Sequence, residues 1–247
     1  MTAITAIGAS VSDAPATAVT RKRKWPRYLL KGAGALAAIL MVSHYLWVAS
    51  GSNQWELAKD QDGIKVWTLK TPGTGLVKVK ATTQIQSQLG GMVKLLEDLD
   101  SCADASCYDG RIIQPIESVP GRYAAFVTYK FDLPGMKTRQ YVLLQQHHQD
   151  ANTKELRLEL LAAPNSIAPD DCCVRVTHLH NKWHIVPRTA DRLEVELIQD
   201  TDIGGLPYFI ANVGLIEGTF AIFRSIQGLM DMPKYRDARI ESVQELN

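Results

Sequence analysis

The side chains able to do metal or acid–base chemistry are few, and their spacing limits what they can do. His178 and His180 lie two apart in a segment of strand character, so their rings share a face, and His184 follows at the same parity. Imidazoles at that spacing suit zinc and related metals. No carboxylate stands beside them at ligand spacing, and histidines on the open face of a sheet fit the same pattern, so neither a metal site nor a cofactor is expected. The sequence contains no GxSxG, HExxH, P-loop or dinucleotide fingerprint. Of the four cysteines, Cys102 and Cys107 bracket a short polar loop. In an oxidising compartment a disulfide there would close a small loop of modest stabilising value; two free thiols are the alternative. Cys172 and Cys173 are adjacent, and because a ring between neighbours is strained they are expected not to bond to each other. With no CxxC and gaps of four and zero residues, the cysteines do not make a zinc knuckle.

The elements that must position these groups follow from composition and charge. With 46% hydrophobic and 21% charged residues over 247, the chain has ordinary globular values and room for one domain and an additional segment. The net charge of +1 gives no field to draw nucleic acid, but it conceals an asymmetry. Residues 1–54 carry six basic groups and one acid, a charge of +5; the remainder carries 21 basic and 25 acidic groups, a charge of −4. The basic groups cluster at Arg21-Lys22-Arg23-Lys24 and Arg27, after a Ser/Thr/Ala-rich stretch too poor in large apolar groups to build a core. Residues 1–27 are therefore expected to be a disordered, basic, cytoplasmic tail.

Residues 28–49 are apolar apart from Lys31, Ser43 and His44, long enough as a helix to match a hydrocarbon core of roughly 30 Å. Trp25 and Tyr28 at one end, and Tyr45, Trp47 and Trp55 at the other, stand where interfacial aromatics belong. This reads as a transmembrane signal anchor. The flanking positive charge keeps the N-terminus in the cytoplasm and sends the main domain across, into the periplasm in a Gram-negative cell. A cleaved signal peptide, using Ala49-Ser50-Gly51, and a buried core helix are the competing readings.

The rest alternates. Tyr123, Ala125, Val127, Tyr129 and Phe131 share one face; Leu156, Leu158 and Leu160 oppose Glu155, Arg157 and Glu159; Leu193, Val195 and Leu197 oppose Glu194 and Glu196. Period two this clean means an antiparallel sheet with one covered face. Residues 87–99 have helical periodicity, and after Gly204-Gly205-Leu206-Pro207 a second helix begins. Its stripe of Phe209, Val213, Ile216, Phe220, Phe223, Gln227 and Met230 steps by alternating fours and threes, and core packing against the sheet accounts for most of it. Gly214, Gly218 and Gly228 lie inside that helix at about 0.8–1 kcal/mol each relative to alanine. They suggest close backbone approach or vacated space.

A curved antiparallel sheet wrapped around one long C-terminal helix is the helix-grip plan of the α+β class. Four strings make the chain resemble one family within it, the START (steroidogenic acute regulatory-related lipid transfer) domains: Trp55 with Asp62-Gly63-Ile64-Lys65-Val66-Trp67; Leu133-Pro134-Gly135 through Arg139-Gln140-Tyr141-Val142; Val174-Arg175 with Trp183-His184-Ile185-Val186-Pro187; and Asp200-Thr201-Asp202-Ile203-Gly204-Gly205-Leu206-Pro207 with Ala211-Asn212. Gln140 and Thr201 depart from the family pattern. The resemblance implies that residues 54–240 form a domain with a tunnel sheltering one lipid or sterol-like ligand. Tyr129, Leu156, Leu158, Leu160, Val195, Phe209, Val213, Ile216, Phe220 and Phe223 are then the candidate lining. Arg139 would be a charged contact for a ligand headgroup or hydroxyl; an exterior strand arginine is the alternative. Gly204-Gly205 and the 162–171 loop are candidate gates or plain surface connections. The partners expected are a lipid or sterol and, through the N-terminal helix, a membrane, with no nucleic acid. A cyclase-like enzyme acting on a hydrophobic substrate and a non-binding envelope interaction module are the rival functions.

Overall fold

The computed structural model describes residues 25–246, so the expected tail at 1–27 lies outside the described residues except for the backbone of its last three. The chain divides into two compact units, Met1–Tyr45 and Leu46–Asn247. Helix α1 (Trp25–Ala49) supplies what is described of the first. It is apolar on every side and its large side chains are exposed, Leu29, Leu36, Leu40 and Tyr45 among them, which makes Tyr28–Ala49 a candidate membrane span.

The second unit is built on one ten-stranded sheet: β1 (Trp55–Gln61), β2 (Ile64–Leu69), β3 (Lys78–Gln86), β4 (Cys107–Val119), β5 (Arg122–Phe131), β6 (Arg139–Gln149), β7 (Leu156–Ala162), β8 (Val174–Arg175), β9 (His178–Thr189) and β10 (Arg192–Asp202). Their order is β1-β2-β3-β10-β9-β7-β6-β5-β4, antiparallel throughout, with β8 paired parallel to the start of β6. The segment 174–186, which reads as one strand, is thus two. Val174–Arg175 stays with β6, while β9 pairs with β7 and β10. The β1–β2 hairpin turns on Asp62-Gly63, both at positive φ (53° and 74°), the type I′ geometry that matches strand twist.

Helices α2 (Leu89–Glu97), α3 (Tyr208–Leu229) and α4 (Pro233–Arg236) complete the unit, with a 3-10 turn at Leu99–Ser101. The first amides of α2 are capped from far along the chain: Leu89 N and Gly90 N donate to the Glu245 carboxylate at 3.0 and 2.8 Å. Close backbone approach occurs here, at Gly91, where a Cβ would meet the carbonyl oxygen of Tyr235 at 2.5 Å.

Helix α3 lies along β2 and β3, and the helix-grip arrangement expected above is the one observed. Phe223 is fully buried and stacks on Trp183 of β9 at 5.7 Å. Gly214, Gly218 and Gly228 do not mark close approach, because a Cβ on any of them would meet nothing within 4 Å. They face outward, so their cost is purely conformational. Replacing all three with alanine is expected to raise stability by up to about 2–3 kcal/mol, read as a higher midpoint in urea at constant slope.

Both cysteine pairs are joined. Cys102–Cys107 realises one of the two open readings. Cys172–Cys173 corrects the expectation that neighbours would stay apart: Cys173 N donates to Asp170 O, and the turn this closes brings the two side chains together.

Candidate functional site

The inner face of the sheet is defined by register. Leu197, Trp183 and Leu158 stand side by side across β10, β9 and β7, and the next residue along, on β6, is His147. One rung away, Gln199, Asn181, Leu160 and Gln145 form a parallel row. On the far side β5 contributes Tyr123 opposite His147, Ala125 opposite Gln145, and Tyr129 opposite Tyr141.

Two apolar clusters occupy this face. The larger contains Val66, Val79, Leu156, Leu158, Trp183, Val195 and Leu197 with Phe220 and Phe223 of α3. The smaller, Ala125, Val127, Leu143, Val176 and Leu179, includes no residue of α3. Leu160 packs against both. Around the smaller cluster Tyr129 and Tyr141 stack at 5.4 Å, with Phe131 edge-on to each. Burial raises both phenols, Tyr141 to about 12, so both stay neutral donors.

The candidate lining residues separate accordingly. Leu156, Leu158, Val195, Phe220 and Phe223 are buried in the larger cluster, with Leu160 and Ile216 half-buried against it, while Tyr129 belongs to the rim of the smaller one. Phe209 and Val213 are brought to none of this: they are 73% and 60% exposed. The helical stripe is therefore core from Ile216 onward and an open apolar surface before it, with Ile210 exposed as well.

Arg139 is not on the exterior, being only 2% exposed. Among the described residues no carboxylate forms a salt bridge with it. Its guanidinium donates to the carbonyls of Ile203 (2.7 Å), Gly204 (2.8 Å) and Lys137. These contacts hold the Gly204-Gly205 turn, both glycines at positive φ (70° and 75°), just ahead of α3. Arg175 does the same for the 162–171 loop, donating to Pro164 O, Ile167 O at 3.2 Å and Ala168 O at 2.9 Å. Its Nε and Nη2 also donate to Gln140 Oε1, at 3.1 and 2.9 Å. An amide at position 140 thus serves where an acid would, by offering its carbonyl. Thr201, the other departure, donates to Asn181 Oδ1 at 2.8 Å.

The histidines of β9 face outward, each toward a carboxylate: His178 to Asp200 at 2.8 Å, His184 to Glu155 at 3.1 Å, His180 to Glu159 at 3.8 Å. Neighbouring strands supply those acids, which is why sequence spacing did not show them. They form pairs; among the described residues no group of three or more ligand-type side chains is placed to hold a metal.

Three functional-site features went unread in the sequence. His147 is buried, its Nδ1 2.5 Å from Glu97 Oε1, with the Tyr123 ring stacked at 5.9 Å. Burial holds the Glu97 carboxyl above its usual range against the opposing pull of His147. Gln145 is 1% exposed and its Nε2 has no hydrogen-bond partner. The signal was parity: Arg139, Tyr141, Leu143, Gln145 and His147 alternate onto one face, and a polar group at an apolar-face position was the anomaly. The third is Gly75, whose carbonyl accepts from Trp47 Nε1 at 2.8 Å and Asn212 Nδ2 at 3.2 Å. A Cβ on it would strike the Tyr208 ring at 2.2 Å. Lys70 reinforces this junction, donating to Ser50 O at 3.0 Å and Thr74 O at 2.6 Å, its ammonium pKa lowered by desolvation.

No family model matches the chain. An uncharacterized protein of Pseudomonas aeruginosa is 24% identical over 208 residues, 82% of this chain and 99% of that one. Among solved structures, a STAR-related lipid transfer protein fragment from Xanthomonas axonopodis is similar at a TM-score of 0.63 and 20% identity, over 72% of this chain and 99% of that one. The human StarD13 lipid transfer and protein localization domain matches at 0.64 and 15% identity, over 73% and 90%. Human StAR-related lipid transfer protein 5 matches at 0.61 and 14% identity, over 81% and 97%. The shared fold is that of START domains.

Proposed function

With the START fold as premise, we propose that residues 54–240 bind one lipid or sterol-like molecule between the inner face of the sheet and α3, and carry or present it at a membrane. The observation that supports this most directly is the smaller apolar cluster, which lies on the inner face yet takes no residue from the gripping helix. Apolar surface of this kind favours a hydrophobic guest by about 25 cal/mol per Å² removed from water. The segments on either side, Gly204-Gly205 and the 162–171 loop, are the gates in this reading, and each is held by one arginine.

In the same reading α1 is the anchor, with its N-terminus cytoplasmic and the binding domain on the other side. Trp47 to Ser50 are bonded to the 70–75 loop, which in turn touches the start of α3. The exposed Phe209, Ile210 and Val213 therefore lie near the point where the chain leaves the bilayer, where apolar side chains can enter the headgroup region.

Mass spectrometry of an organic extract from the detergent-purified full chain tests the binding claim. A stoichiometric lipid is expected. A clean extract, together with no uptake of fluorescent phospholipid or sterol, would sink it. A C-terminal phosphatase fusion is expected to be active in intact cells; an inactive fusion beside a fluorescent cytoplasmic reporter would overturn the topology.

A further inference from the structure

The two disulfides sit in opposite settings. Cys102 and Cys107 are both buried, at 7% and 9% exposure. Cys172 is an exposed residue and Cys173 a half-buried one, so theirs is the bridge open to a thiol in solution. A bridge between neighbours is also a poor staple. Disulfides stabilise largely by removing freedom from the unfolded chain, and a ring that holds a single peptide unit removes very little. Adjacency keeps the two Cα atoms about 3.8 Å apart, below the roughly 4.4–6.8 Å usual for cystine, and a bridge held off that range is more easily reduced.

Its position gives it something to control. The pair directly follows the 162–171 loop and precedes β8. Asp170, near the end of that loop, accepts from Lys130 Nζ at 2.8 Å and Gln140 Nε2 at 3.2 Å. Its amide donates to Gln140 Oε1 at 3.3 Å, and its carbonyl accepts from Cys173 N at 3.2 Å. On the other side Val174 N donates to Thr138 O at 2.9 Å, and Val174 is the side chain that a Cβ on Gly204 would meet, at 3.9 Å. The bridge therefore stands between the segment that Arg175 holds and the turn that Arg139 holds.

We infer that Cys172–Cys173 is a thiol–disulfide exchange site for a dithiol reductant, and that its redox state sets the order of the 162–171 loop. A thiolate of the dithiol attacks Sγ of Cys172, the S–S bond breaks, and Cys173 leaves as a thiolate that takes up a proton. The second thiol of the reductant, deprotonated in turn, attacks the reductant's own sulfur in the mixed disulfide and releases Cys172, which is protonated likewise. Two electrons and two protons thus pass from the dithiol, which ends as a disulfide, to the cysteine pair. Opening the ring frees the 172–173 peptide to rotate, and the turn from Asp170 to Cys173 loses the covalent tie at its end. Neither half of this needs a bound lipid.

The detergent-solubilised full chain, treated with dithiothreitol at pH 8 without denaturant, quenched with N-ethylmaleimide and digested, reports each pair separately by mass. Cys172 and Cys173 are expected to gain the label together, at least about tenfold sooner than Cys102 and Cys107. Amide hydrogen exchange is then measured at a dithiothreitol concentration that opens only the 172–173 pair. Residues 163–174 should exchange about tenfold faster in the reduced chain, with β9 and β10 unchanged. Cys172→Ser/Cys173→Ser should match the reduced chain without dithiothreitol and respond to it no further. Labelling of both pairs at equal rates, or of Cys102 and Cys107 first, overturns the exchange site. So does label on Cys172 and Cys173 before any reductant is added, since the bridge is then not formed. Selective opening with unchanged exchange over 163–174 overturns the control of the loop. Each of these outcomes leaves the ligand-binding reading as it stands.

Discussion

Arg139→Met is expected to lower the melting temperature of the protein by about 6–12 °C, through loss of about 3 kcal/mol. The arginine is buried and donates to three backbone carbonyls, at Lys137, Ile203 and Gly204. Methionine fills similar volume but leaves those acceptors bare in a place water reaches poorly, and an unsatisfied buried polar group costs about 1–3 kcal/mol. Some relaxation of the 203–205 turn offsets part of the sum. Arg139→Lys should not rescue the loss, since a point-like ammonium cannot reproduce a planar fork that meets three acceptors in different directions. Limited proteolysis gives the second reading: cleavage should appear at 203–207 in the variant. A variant that melts with the parent and stays protected there would show that these bonds do not hold the turn.

Phe223→Ala is expected to cost about 3–5 kcal/mol, the usual range for truncating a fully buried phenylalanine. Phe223 has no exposed surface and stacks on Trp183, so its removal opens a cavity between helix and sheet and strips one face of the indole. The indole emission should shift to the red and the urea midpoint should fall. Phe209→Ala is the control on the same helix, expected to change stability by no more than about 0.5 kcal/mol, because its ring already lies in solvent. Its expected effect is instead on attachment to vesicles. If the two variants destabilise equally, the division of α3 into a gripping part and an exposed part is wrong.

That division shows where reading residues in order stops working. The stripe from Phe209 to Met230 is one uninterrupted pattern, yet the first turns of the helix pack through Ala211 and Asn212, whose Oδ1 accepts from Val77 N at 3.0 Å, and so leave Phe209 and Val213 exposed. Arg139 is a similar case. The family resemblance implied a contact with a ligand, but carbonyls 64 and 65 residues away satisfy it, and such partners have no spacing signature. The β9 histidines found their acids on β10, on β7 and, for Glu155, just ahead of β7, for the same reason.

What the sequence determined by itself was everything governed by local periodicity. The candidate span at 28–49, the alternating strands, the long C-terminal helix and the order of the START-like strings were all legible, because helix and strand bury their faces at fixed intervals along the chain. Only the tertiary structure decided which polar groups inside are satisfied. Glu97 reaching His147 across fifty residues, and Gln145 Nε2 meeting no partner among the described residues, are consequences of how the sheet curves and where α2 docks. Hydrogen bonds act over about 3 Å of space regardless of distance along the chain, so the inventory of unmet donors and acceptors exists only in the folded protein.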